Sequence, residues 1–149
     1  LAPRKATRFG LPIVKRQPLK LTGPYKYTPG EEVTNNKKEV LEGQRDTCDI
    51  YAVMYEIDPT NMQPLNGDDV LTSSRIVLMA RIAKPGEPQA WTSFEEPFVL
   101  LPGKTIEPAR FHNNGYAIAV VMTSSRKGAY FEGAVGSTLL VDDIRIVWE

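Results

Sequence analysis

The sequence predicts an all-β protein, an antiparallel β-sandwich of jelly-roll type, and three observations carry that expectation. Apolar residues recur mainly with period two, the spacing that places alternate side chains on one face of a strand. Twelve prolines and eleven glycines punctuate these runs at intervals suited to short strands joined by turns. Regular alternation of strands and helices is absent, which argues against a parallel α/β fold. With 149 residues, 42% hydrophobic and 24% charged, the chain reads as a single sandwich domain over residues 1–149, large enough to bury a real core.

The strands follow in order. "RFGLPIV" (8–14) is a short edge strand, because Pro12 cannot donate a ladder hydrogen bond. "PLKLTGPYKYTPG" sets Leu19, Leu21, Gly23, Tyr25 and Tyr27 against Lys20, Thr22, Pro24 and Lys26, and stops at Pro29-Gly30. "EEVTNNKKEVLEGQR" (31–45) has loosely helical spacing but two adjacent asparagines, and reads as a long polar loop with one helical turn. "DIYAVMYEID" (49–58) is a strand ended by Pro59. "SRIVLMARIA" (74–83) is another, with Ile76, Leu78, Ala80 and Ile82 on one face and Arg75 and Arg81 on the other. "EEPFVLL" (95–101) runs into Pro102-Gly103. "KTIEPARFHNN" (104–114) is broken by Pro108, and "GYAIAVVMTSS" (115–125) follows the Asn113-Asn114-Gly115 turn signal. The continuous runs 76–80 and 118–122 suit strands covered on both faces.

The last segment, "GAVGSTLLVDDIRIVWE", contains a slip. Leu139 and Val141 share a face, yet Ile144, Ile146 and Trp148 carry the apolar side after Asp142-Asp143. A β-bulge, which inserts one residue and re-aims the side chains beyond it, accounts for the slip better than a dedicated ligand site.

Net charge is zero but unevenly placed. Residues 1–45 hold 10 Lys/Arg against 4 Glu, and residues 46–149 hold 8 against 14 acids. The basic arm is expected to pack on the acidic remainder or to meet a further segment. A neutral whole exerts little long-range pull on nucleic acid, and no nucleic-acid-binding motif occurs, so no such partner is expected. No apolar run approaches the roughly 20 residues of a membrane helix. The chain begins at Leu1, which implies a removed leader or a start inside a longer gene product.

Signals for catalysis are weak. His112 is the only histidine and no G-x-S-x-G occurs, so a Ser-His-Asp arrangement is not expected. Cys48 reads as a partly buried thiol. The acidic doublets Glu31-Glu32, Asp68-Asp69, Glu95-Glu96 and Asp142-Asp143 cannot each form an acid/base pair, since strand neighbours point to opposite faces. Asp46, Asp49, Asp58, Asn66, Asp68, Asp69, Asp142 and Asp143 offer oxygen ligands suited to a structural Ca²⁺, but the spacing within 58–69 fits no EF-hand, and no cofactor other than such an ion is expected.

The aromatic residues point further. A sugar ring has an apolar face that packs on Tyr or Trp, while its hydroxyls engage charged and amide side chains. Tyr51 and Tyr55 share one strand face, Tyr25 and Tyr27 another, and Arg81 lies on the polar face of a third strand. A sheet face carrying Tyr51, Tyr55, Arg81 and Tyr25 would suit a carbohydrate. The other reading makes these tyrosines core residues with hydroxyls at the rim. Trp91 is either a lid over the core or an exposed stacking platform, and Trp148 packs inward.

"ATRFGLPIVKRQPLKLTGPYKYTPGE", "CDIYAVMYEID" and "FEGAVGSTLLVDDIRIVWE" together resemble the putative carbohydrate metabolism domain, a β-sandwich family of exported proteins in polysaccharide-using bacteria. The matching positions are Phe9 through Ile13, Gly23 through Gly30, Asp49 through Tyr55, and Gly133 through Ile146. Pro24 departs from the family's aromatic, and the chain opens at what resembles the middle of the domain, so N-terminal strands of a longer precursor, or a second copy, would cover its edges. The resemblance implies a non-catalytic carbohydrate-associated module of the cell envelope or surface, whose partner is a glycan or oligosaccharide. A glycoside hydrolase-like domain and a structural or protein–protein module are the alternatives. Tyr25, Tyr27, Tyr51, Tyr55, Arg81 and Trp91 are the expected carbohydrate-binding residues.

Overall fold

The computed structural model describes residues 3–7 and 9–149, and it is an antiparallel β-sandwich. A four-residue helix α1 (Pro3–Ala6) leads into an extended strap. The strands are β1 (Pro18–Thr28), β2 (Val33–Thr34), β3 (Asp49–Glu56), β4 (Ile76–Arg81), β5 (Thr92–Pro97), β6 (Val99–Leu100), β7 (Tyr116–Thr123), β8 (Gly133–Ala134), β9 (Thr138–Val141) and β10 (Arg145–Trp148). Helix α2 (Pro108–His112) precedes β7. The first sheet runs β10-β1-β5, with β9 also on β1; the second runs β6-β4-β3-β7; β2 and β8 form a separate ribbon.

The period-two pattern of β1 turns Leu21, Tyr25 and Tyr27 inward, against Ile50 and Ala52 of β3 and Ala80 of β4, with Ile82 just beyond it. This is the interior of the sandwich. The odd residues of β3 after Asp49 face the other way, and they are apolar too. Tyr51, Val53, Tyr55 and Ile57 are covered by Phe9, Leu11 and Ile13 of the strap and by Leu65, Val70 and Leu71. Burying a large apolar side chain is worth about 1.5–3 kcal/mol, so a sheet apolar on both faces requires both covers. The strap is also pinned by hydrogen bonds: Ile13 bridges Ala117, the Val14 amide donates to the Tyr116 carbonyl at 2.9 Å, and the Ile118 amide donates to the Pro12 carbonyl at 3.1 Å. The expected edge strand over 8–14 is thus this pinned segment, with Arg8 outside the described residues.

Four local expectations change. Residues 31–45 form no helical turn: β2, an Asn35-centred turn and a Thr34–Val40 bridge occupy them. Pro108 starts α2 instead of breaking it, because a first-turn residue needs no amide partner. Ile76 joins Tyr55 on the outer face while Val77 and Leu78 both turn inward, since the β3–β4 register shifts beside Tyr55. The segment 95–101 also divides, β5 lying in the first sheet and β6 in the second.

The slip at Asp142-Asp143 is a bulge. Three residue steps separate Thr22 from Tyr25, and four separate their partners Arg145 and Val141. β9 and β10 therefore form one bent edge along β1, with an extra residue between them. Asp143 adopts φ 45°, its amide donates to Asp142 Oδ1 at 2.8 Å, and its carboxylate accepts from Arg145 Nε at 2.8 Å. Gly23 sits opposite, where a Cβ would lie 2.6 Å from Ile144 Cδ1. The bulge lets Leu139, Val141, Ile144 and Ile146 all reach the same core.

Two substitutions test these contacts. Asp143→Gly is expected to leave the urea midpoint unchanged, whereas Asp143→Val, β-branched at positive φ, lowers stability by about 1–2 kcal/mol; equal midpoints would discard the bulge assignment. At Gly30 a Cβ would run into the Val135 carbonyl and lie 2.8 Å from Ala134 Cβ. Gly30→Ala is expected to cost about 1–3 kcal/mol by overpacking, read as a fall in Tm.

Candidate functional site

The cover over the outer face of the second sheet ends before the sheet does, and a cleft of about 400 Å³ opens there. Its floor is Asp49 and Tyr51 of β3 with Val121 and Thr123 of β7. Registry places them together, since Asp49 pairs with Thr123 and Tyr51 with Val121. One wall is Arg4, Thr7 and Phe9 from the N-terminal segment; a second is Gly67, Asp68 and the 70–72 turn; a third is Ser125, Arg126 and the 128–130 turn. Gly67 allows the first two walls to meet, because a Cβ there would lie 2.8 Å from the Arg4 carbonyl oxygen.

Asp49 organises the charges. It is buried, and it accepts from Arg81 Nε at 3.0 Å and Arg81 Nη2 at 2.7 Å, with Arg126 Nη2 at 3.1 Å. This is a charged triad whose members satisfy one another, as buried charges must. Arg81 lies 5.5 Å over the Tyr51 ring, a cation–π contact. Burial, reinforced by Asp49 and opposed by Arg81, pushes the Tyr51 phenol up to about 12. At the rim, Arg4 lies 3.4 Å from Asp68 and 4.7 Å over the Tyr130 ring, which is 61% exposed.

A clasp around Asp46 holds the third wall. Its Oδ2 accepts from Ser125 Oγ at 2.6 Å, Ser137 Oγ at 2.6 Å and the Ala134 amide at 3.0 Å. Gly133 permits the approach, since a Cβ there would lie 2.9 Å from Ser125 Oγ. The "GAVGS" stretch is therefore a buckle that fixes the turn bearing Arg126 and Tyr130.

The six aromatic and arginine residues expected from sequence fall in separate places. Tyr51 lines the cleft, and Arg81 stacks on its ring without lining the cleft. Tyr25 and Tyr27 are buried inside the sandwich, their hydroxyls donating to the carbonyls of Pro85 and Ser124. Tyr55 is fully buried under the strap, with Arg75 stacked over it at 5.2 Å. Hence the expected single face of Tyr51, Tyr55, Arg81 and Tyr25 does not form: Tyr25 is on the other sheet, and the cover reaches over Tyr55. Trp91 is 50% exposed outside the cleft, with Lys26 Nζ 4.9 Å over its ring. Trp148 packs inward.

The acidic stretch 58–69 caps its own turns. Asp58 Oδ1 accepts from the Thr60 and Asn61 amides, and Asp69 Oδ1 from the Asn66 amide. Among the described residues no three His, Cys, Asp or Glu side chains gather as a metal site. Arg4, Arg126 and Tyr130 were not expected in a site, and Asp68 was weighed only as a Ca²⁺ ligand or half of an acidic doublet. Distant segments bring them together, and no local pattern marks them.

A family model described as "Putative carbohydrate metabolism domain" matches residues 1–147. A crystal structure described as a "putative glycoside hydrolase" from Bacteroides thetaiotaomicron VPI-5482 superposes with a TM-score of 0.92 at 42% identity, covering 99% of this chain and 42% of that one. Another so described, from Bacteroides vulgatus ATCC 8482, gives a TM-score of 0.87 at 36% identity, covering 99% and 58%. The chain thus spans less than two thirds of either. No curated protein matches it.

Alkaline pH reports on the burial of this core. Burial pushes the Cys48 thiol up to about 11 and the Tyr51 phenol to about 12. Folding raises both values, so their contribution is intact below the unfolded values of 9.0 and 10.0 and is lost as pH climbs through the folded ones. The urea midpoint is expected to fall steadily between about pH 9 and about pH 12, and Cys48→Ala to remove the earlier part of that fall. A midpoint flat across the window contradicts the assignment.

Proposed function

The chain belongs to the Putative carbohydrate metabolism domain family, and from that membership we propose that it is a non-catalytic carbohydrate-binding module that engages a glycan in the cleft beside Tyr51 and Tyr130. The observation that carries this reading is the composition of the cleft. An exposed tyrosine ring at the rim, with the buried Tyr51 ring beneath the floor, stands among guanidinium, hydroxyl and carboxylate groups. That mixture matches a sugar, which offers an apolar ring face and a girdle of hydroxyls. Thr72, Thr123 and Ser125 supply neutral hydroxyl partners. Arg81 acts indirectly, by holding Asp49 and the Tyr51 ring in place. Trp91, half exposed elsewhere, offers a second stacking contact for a longer glycan. Work at the cell envelope on exported polysaccharide fragments completes the reading, in keeping with the Bacteroides origin of the solved relatives.

A hydrolase is the second reading, favoured by the two carboxylates, Asp49 and Asp68, that line one cleft. Retaining and inverting glycosidases both need a carboxyl group free to pass a proton to the leaving oxygen. Asp49 has both oxygens engaged by guanidinium N–H groups and is buried. That geometry favours a structural carboxylate and a binding role.

A glycan array read with the intact chain tests both. Binding to at least one glycan class is expected, and Tyr130→Ala should weaken it by roughly tenfold while near-UV circular dichroism is unchanged. Retained affinity in that variant would move the site away from the cleft. Release of reducing ends from a bound glycan, abolished by Asp68→Asn, would replace the binding module with a hydrolase.

A further inference from the structure

The charged side chains that line the cleft are matched to one another or to the core. Asp49 is held by Arg81 and Arg126, and Arg4 meets Asp68 at the rim. The wall amides are taken as well: those of Asp68, Val70, Thr72, Gly128 and Tyr130 donate inside their own turns. The hydroxyls have spent their protons too. Thr123 Oγ1 donates to the Ser125 carbonyl at 3.1 Å, and Ser125 Oγ to Asp46 Oδ2 at 2.6 Å. A carbonyl and a carboxylate have no proton to give in return, so each of these hydroxyl oxygens offers a ligand only its lone pairs. Much of the remaining lining is apolar. Phe9, Leu71 and Val121 are half-buried, pack on the core beneath and border the cleft.

Such a lining asks for a ligand that donates and that carries an apolar group. A carboxylate or sulfate, which only accepts, would leave water there without compensation, and so would a bare hydroxyl laid on the apolar part. Thr123 and Val121 lie on one face of β7, in register with Asp49 and Tyr51, and residues two apart on a strand are about 7 Å from each other. An acceptor and a methyl contact therefore stand side by side. In a trans amide the N–H and the acyl methyl lie along one edge and the carbonyl oxygen along the other, so one acetamido group meets both neighbours and turns its oxygen outward. A 6-deoxy sugar brings a methyl without the adjacent donor, and an unsubstituted sugar brings donors without the methyl. Resting on the reading of the cleft as a glycan site, we infer that it takes a neutral N-acetylated sugar, with the acetamido N–H on Thr123 Oγ1 and the methyl against Val121, Leu71 and Phe9. The sugar ring extends from there toward Tyr130.

The test uses the intact chain and matched neutral pairs in calorimetric titrations: triacetylchitotriose against cellotriose, and methyl N-acetylgalactosaminide against methyl galactoside, with methyl fucoside as the 6-deoxy probe. In at least one pair the N-acetylated member is expected to bind at least about tenfold tighter, the scale on which a pocket discriminates one buried methyl. Saturation-transfer NMR with that ligand should show its acetyl methyl protons as the most strongly saturated. Val121→Thr, which keeps the shape and puts a hydroxyl on the floor, should lose most of the lead; a lead retained in the folded variant overturns the assignment. Should the variant unfold, the saturation pattern of the wild-type protein decides, and transfer strongest at the ring protons overturns it. Equal affinity within both pairs, a fucoside that binds tighter than either N-acetylated probe, or binding only by glycans without an acetamido group also overturns it while leaving the glycan reading in place. Absence of binding to every probe and to a wider glycan panel removes both.

Discussion

Strand β3 is buried along both faces, and most of the molecule can be understood as a response to that constraint. Every residue from Asp49 to Tyr55 is buried. Its even residues, Ile50, Ala52 and Met54, meet the first sheet or its β10 edge, and its odd residues meet the strap and the 65–71 segment. A two-layer sandwich would leave Val53, Tyr55 and Ile57 in water. Each such side chain is worth about 1.5–3 kcal/mol when buried, so the third layer is part of the fold. The cleft is where that layer stops. It is neither a groove between sheets nor a loop-end pocket, but the uncovered end of a covered sheet.

That end cannot be apolar, because it faces water on one side and the core on the other. The chain places Asp49 there, and a buried carboxylate is tolerable only when paired and hydrogen-bonded. Arg81 comes from the neighbouring strand in register with Tyr51, and Arg126 from the turn after β7. The same triad therefore closes the core at that end of the sheet.

The walls depend on two devices in the C-terminal third. The Asp46 clasp ties the turn after β7 to β8 and to Ser137, using glycine at 133 to allow the approach. The Asp143 bulge then changes the phase of the edge strand, so that Val141 and Ile144 both face inward along β1. Without the extra residue one half of that edge would turn its apolar side to solvent.

Alternation and turn residues were enough to place the main strands of the chain. Period two marked β1, the continuous apolar runs marked β4 and β7 as covered on both faces, and the phase error at Asp142-Asp143 marked the bulge. These are legible because they depend on neighbours in the chain. Pro108 misled for the same reason: a proline reads as a break until its place in a helix is known. The fate of the tyrosines was not legible. Tyr25, Tyr51 and Tyr55 have the same local pattern, yet one faces the sandwich interior, one a cleft and one the underside of the strap. Exposure is a property of what another segment covers, and the strap residue that accepts from the Tyr55 hydroxyl, Gly10, is 45 residues away in the chain. The cleft itself, with Arg4, Asp49, Asp68, Arg126 and Tyr130 drawn from distant segments, exists only in three dimensions, because long-range packing alone brings those charges within reach of one another.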